Sequence, residues 1–90
     1  MNRVVITVVG KDNVGIIASV CNTLAEHNVN ILDLSQTIVQ DFFNMMMLVD
    51  IEKCDVTFDD LQELLKAAGE AKGVEARCQR EEIFTSMHRL

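Results

Sequence analysis

Proline, tryptophan and tyrosine are absent from this chain, and phenylalanine occurs only four times in 90 residues. An aromatic core is therefore excluded, and with 49% hydrophobic residues the interior must be aliphatic and rich in methionine. Cations are also scarce. Eight Lys and Arg stand against fourteen Asp and Glu, for a formal net charge of -6 and a pI near 4.7. Nucleic acid is excluded as a partner, because phosphate binding draws its affinity from Lys and Arg. Small molecules and proteins are left. The three cysteines, Cys21, Cys54 and Cys78, are odd in number and have no CxxC spacing, which argues against a disulfide framework. No charged-then-apolar leader precedes Val4, and the longest apolar runs fall far short of a membrane span, so a soluble, cytoplasmic protein without a membrane partner is expected. Repeats, low-complexity tracts and linkers are likewise missing, and a single domain follows from the length.

What is present is organised around Gly10-Lys11-Asp12-Asn13-Val14-Gly15-Ile16. Before it, Arg3 to Val9 is almost wholly β-branched and apolar on both faces, the pattern of a central strand. After it, from Val14 to about His27, Ile17, Val20, Cys21, Leu24 and Ala25 fall on one face of a helix. The seven residues thus join a strand to a helix. Gly10 has backbone freedom other residues lack, and Gly15 removes a side chain where a ligand or a second backbone could approach. Asp12 or Asn13 is expected to cap the helix, whose positive end then faces a polar, glycine-lined concavity suited to a carboxylate. A capped turn with no ligand is the commoner use of such residues, and both readings stay open.

Asn28, just past His27, suits a left-handed helix end. A second strand follows over Asn30 to Val39. Its alternation puts Leu32, Leu34, Gln36 and Ile38 on one face and Ile31, Asp33, Ser35, Thr37 and Val39 on the other, a mixture that suits an edge strand with a bulge near Asp33. Gln40 and Asp41 turn the chain into a third strand, Phe42 to Ile51, with Phe43, Met45, Met47, Val49 and Ile51 on one face and Phe42, Met46 and Leu48 on the other. Methionines can ligate soft metals, but strand neighbours point to opposite faces, so these fill core gaps. His27 has no second ligand at metal spacing; neither metal nor cofactor is expected. Thr57 is placed to cap a second helix running to about Lys72, with Phe58, Leu61, Leu64, Leu65 and Ala68 as its buried stripe and Cys54 in the connecting loop before it. Gly73 stops that helix, and Val74 to Cys78 reads as a short fourth strand. Residues 81–90 form a candidate helical tail, with Ile83, Phe84, Met87 and Leu90 on one side.

The order is β-α-β-β-α-β with a tail: an α+β, ferredoxin-like fold, a four-stranded antiparallel sheet with both helices on one face and the first and third strands central. Its other face would expose Val5, Val9, Met46 and Leu48 unless the tail or a second copy covers them, which predicts a homodimer.

In that order, Val8-Val9-Gly10-Lys11-Asp12-Asn13-Val14-Gly15-Ile16, then Asn28-Val29-Asn30-Ile31 and Ser35-Gln36, resembles the ACT domain family. The likeness covers about the first eighty residues, so residues 1–80 would be the ACT domain and 81–90 the tail. It is similar in particular to small stand-alone ACT proteins and to the ACT modules of formyltetrahydrofolate hydrolases and the glycine-cleavage repressor. The resemblance implies a regulatory module that binds an amino acid or similar metabolite and pairs through sheets or helices. The ligand region it implies is Asp12, Asn13, Val14, Gly15 and Ile16 with Asn30 and Ile31. Val14 departs from the family, where many relatives carry proline. Other occupants of this architecture fit less well: the loop has no paired thiols for copper and no Arg for phosphate, and the central strands lack exposed aromatics for RNA. No Ser-His-Asp or Cys-His arrangement is apparent, so an enzyme is not expected. The alternative to a metabolite sensor is a ligand-free interaction or oligomerisation module acting on a partner protein.

Overall fold

A computed structural model of the chain describes residues 2–81. Apart from its first residue, Glu81, the tail expected over 81–90 lies outside the described residues. In chain order the elements are β1 (Arg3–Lys11), α1 (Ile16–Glu26), β2 (Asn30–Val39), β3 (Phe42–Asp50), α2 (Phe58–Ala71) and β4 (Val74–Arg80). All strand pairs are antiparallel and the sheet order is β2-β3-β1-β4. This is the ferredoxin-like arrangement, with the two doubly apolar strands in the middle.

Alternation decides which face is buried. Val4, Ile6 and Val8 of β1, Phe43, Met45, Met47 and Val49 of β3, and Val74, Ala76 and Cys78 of β4 form one cluster with Ile16, Val20 and Leu24 of α1 and Leu61 and Leu65 of α2. Both helices therefore lie on the same side of the sheet. Thr57 caps α2 through its hydroxyl, which accepts from the Asp60 amide at 3.1 Å, and Asp59 and Asp60 sit in the first turn where the helix dipole favours them. The Arg80 guanidinium stands 4.7 Å over the Phe58 ring and joins the start of α2 to the end of β4. Asn28 takes the left-handed conformation expected of it (φ 60).

The helix stripes differ from the sequence reading in detail. Ala25 is exposed and Ile16 is buried, because the face turned to the core follows the i, i+4 row of Ile16, Val20 and Leu24, and α1 starts at Ile16 rather than at Val14. On α2, Leu64 is 37% exposed while Gly69 is buried, since α2 leans on β4. A Cβ at Gly69 would stand 2.8 Å from the Val74 carbonyl oxygen and 3.3 Å from Ala76, so glycine here permits the close approach of helix and strand. Cys54 is not an ordinary surface residue: it is half-buried against the core.

The bulge falls where the pattern weakens, between Ile31 and Asp33. It turns Ile31 to the helix side, opposite Val49, so Ile31, Leu34, Gln36 and Ile38 share that face and Leu32 is the extra residue. Every residue of β2 is exposed. On the helix-free face the expected apolar patch is only partly open. Val5 is 6% exposed, whereas Val9 and Met46 are 43% and 44% exposed, and Phe42 and Val39 extend the open part.

Candidate functional site

The loop after β1 lies at the sheet end where β2 turns into β3, because Lys11 pairs with Phe42 and Phe42 with Val39. The Asp12 amide donates to the Asp41 carbonyl at 2.7 Å, which ties the loop to that turn. Neither Asp12 nor Asn13 caps α1. The N-cap is Gly15 itself, at φ 89 and ψ 5, with no side-chain hydrogen bond. Its carbonyl accepts from Ser19 at 2.9 Å, so the amides of Ile16, Ile17 and Ala18 precede the first intrahelical bond. The Asn13 amide instead donates to two main-chain carbonyls, Lys72 at 2.7 Å and Lys11 at 3.2 Å.

Beside this turn lies a cleft of about 440 Å³ lined by Asp12, Asn13, Gly15, Ile16, Ile17 and Ala18 from the loop and α1, and by Gln36, Ile38 and Phe43 from the hairpin. Four of the five loop residues expected in a ligand region line it; Val14 is not among them and is 92% exposed. Asn30 and Ile31 are not beside the loop. They pair with Asp50 and Val49 at the far end of the sheet, roughly 25 to 30 Å away at about 3.3 Å per residue. The reason is the helix: α1 carries the chain from the loop to the far end of the sheet, so β2 starts there and comes back to the cleft only with Gln36 and Ile38. Ile17, Ala18, Gln36, Ile38 and Phe43 also line the cleft and were not in the expected ligand region, although the strand order places the hairpin tip next to the loop. No local signal marks Lys72, whose ammonium donates to the Val14 carbonyl at 3.3 Å.

The chain matches the sequence profile of the ACT domain over residues 2–79. It belongs to the ACT domain family. ACT domains are regulatory, ligand-binding modules. A UPF0237 protein of Bifidobacterium longum is 57% identical over 90 residues, covering all of both chains. Among solved structures, an ACT domain protein from Streptococcus pneumoniae superposes with a TM-score of 0.80 at 37% identity, covering 92% of this chain and 93% of that one. A formyltetrahydrofolate deformylase from Pseudomonas syringae shares the fold over 89% of this chain and 28% of its own, at 24% identity and a TM-score of 0.80.

The cysteines of this ACT domain stand apart from the cleft. Burial pushes the Cys78 thiol from 9.0 up to about 12 and raises that of Cys21, which is the opposite of what a nucleophilic thiolate needs. His27 closes α1 and sits with Nδ1 2.8 Å from Asp55 Oδ1, an exposed pair that fixes the loop before α2. Among the described residues no three His, Cys, Asp or Glu side chains gather as metal ligands, and no helix is long and apolar enough to cross a membrane.

Proposed function

We propose that this ACT domain is a non-enzymatic, cytoplasmic regulatory module that binds an amino acid or similar small metabolite in the loop cleft and works as a homodimer or through a partner protein. The observation that carries the reading is the uncapped start of α1 opening into a cleft of about 440 Å³, a size suited to a small ligand. A ligand carboxylate has the first amides of α1 and the positive helix end to accept from. A ligand ammonium has the Asp12 carboxylate within the same lining, and an apolar side chain has Ile38 and Phe43.

Pairing through β2 supports the same reading. Of the two sheet edges, β4 alternates buried residues with Glu75, Arg77 and Gln79, whereas β2 offers ten exposed residues, five of them large and apolar, with Asp33 its one charge. A largely apolar edge with a single charge is the one left open for another strand. Antiparallel pairing of two β2 strands about a two-fold axis brings Asn30 and Ile31 of the partner subunit toward Ile38, so the residues that one chain keeps apart meet across the interface.

Thermal shift against the twenty amino acids, one at a time, tests the ligand. A binder at a hundred times its dissociation constant adds about 2.7 kcal/mol. A flat panel would favour the ligand-free interaction module. Light scattering tests the pairing: twice 10.1 kDa is expected for the parent and 10.1 kDa for Leu34→Lys, and a parent at 10.1 kDa would refute it.

A further inference from the structure

The loop from Gly10 to Gly15 and the connection from Lys72 to Val74 are bound to each other along their length. The Asn13 side chain donates to the Lys72 carbonyl, and the Lys72 side chain donates in return to the Val14 carbonyl. A Cβ on Gly15 would stand 3.0 Å from Lys72 Nζ and 3.4 Å from its Cε, while one on Gly10 would stand 2.8 Å from Val74 Cγ1. Lys72 thus fills the space that Gly15 leaves. These contacts join the start of α1 to the end of α2 and the beginning of the edge strand β4, positions 58 and 59 residues apart in sequence.

A side-chain amide has two N–H donors, and both of Asn13's are spent on carbonyls, those of Lys72 and Lys11. Asn13 also lines the cleft. We infer that Asn13 and Lys72 form a latch: an acceptor entering the cleft takes an Asn13 N–H only by releasing a main-chain carbonyl, and when that carbonyl is Lys72's, occupancy is transmitted to the corner between α2 and β4. The corner has room to respond, because among the described residues no heavy atom beyond Gly73's own chain neighbours lies within 4 Å of where a Cβ on Gly73, at φ +71, would sit. One hydrogen bond shifts an equilibrium by roughly 2- to 10-fold, so a ligand with modest preference for the released form is enough to move it. The trigger rests on the metabolite-binding reading; the latch itself exists without ligand and is tested without one.

Hydrogen exchange on the full chain, with no ligand, reads the latch. Asn13→Ala should speed amide exchange roughly 2- to 10-fold in both residues 10–16 and residues 70–75, leaving residues 42–50 unchanged. Asn13→Asp, nearly isosteric, turns an acceptor toward both carbonyls and should loosen the same two segments at least as much. Lys72→Met keeps the aliphatic stem, and combined with Asn13→Ala it should add less than the sum of the single effects. Faster exchange confined to residues 10–16, an Asn13→Asp protein like the parent, or strictly additive effects would overturn the latch. With the twenty free amino acids as probes, any that raises the melting temperature should also speed exchange at 70–75, and slower exchange there would overturn the transmission. A silent panel counts against the metabolite reading alone, since the ligand-free comparison decides the latch.

Discussion

Gly15→Ala separates the structure from the simpler expectation that Gly15 merely opens a helix. Within a helix, Ala is favoured over Gly by about 1 kcal/mol, so a first-turn glycine should gain stability on substitution. Gly15 is not in the helix: it is the N-cap at φ 89, ψ 5, a left-handed conformation that costs an L-residue roughly 1 to 2 kcal/mol. The new methyl also meets Lys72 Nζ at 3.0 Å and Cε at 3.4 Å, the far end of a flexible chain that can move aside while giving up its bond to the Val14 carbonyl. The φ penalty dominates, and the expected loss is about 1 to 2 kcal/mol, or a drop in Tm of roughly 4 to 16 °C for a domain of this size. Urea unfolding followed by circular dichroism at one fixed protein concentration gives the number as a lower midpoint at unchanged slope. Gly15→Ala in a Lys72→Ala background removes the steric part and should retain most of the loss. A midpoint equal to or above the parent's would refute the reasoning, because it would mean that residue 15 is free to adopt ordinary helical angles.

Leu24→Ala, at a fully buried position, should cost about 2 to 5 kcal/mol, whereas Leu64→Ala, 37% exposed, should cost well under that; equal denaturant midpoints would undo the assignment of the core. Gly69→Ala should destabilise despite the better helix propensity of Ala, since its Cβ meets the Val74 carbonyl 2.8 Å away and backbone cannot step aside; a raised Tm would contradict the close packing of α2 on β4. Cys78 predicts a pH dependence. Its folded-state pKa is about 12 against 9.0 unfolded, so its contribution is full below pH 9 and is lost between 9.0 and about 12 as only the unfolded thiol ionises. Urea midpoints of the parent should therefore fall more steeply with pH in that window than those of Cys78→Ala, and parallel curves would refute it. At pH 8, Cys78 should also be the slowest of the three thiols to alkylate in the native protein, as judged by mass spectrometry of the digested product.

Much of the fold was legible in one dimension because it rests on local periodicity and a few special residues. The two-faced apolar pattern of Arg3 to Val9 and Phe42 to Ile51 placed those strands at the centre, and the mixed pattern after Asn30 placed its strand at the edge with a bulge. Thr57, Asn28 and Gly73 marked helix ends through backbone chemistry that acts within a few residues. The loop's place at a strand-helix junction was equally local. What its residues do there was not. Asn13 has the composition of a cap, yet it spends its donors on Lys11 and on Lys72, 59 residues away, and Gly15 takes the cap position in a conformation that only its φ reveals. Asn30 and Ile31 belong to the same family resemblance as the loop, yet the eleven-residue helix α1 carries the chain to the opposite end of the sheet before they begin β2. Gly69 reads as a weak point in a helix until Val74 is brought against it. Propensity, capping and alternation depend on neighbours in sequence, so the chain itself determines them. Which donor finds which carbonyl, and which glycine faces which backbone, depend on how α2 and β4 close against the first turn of α1, and tertiary packing alone decides that.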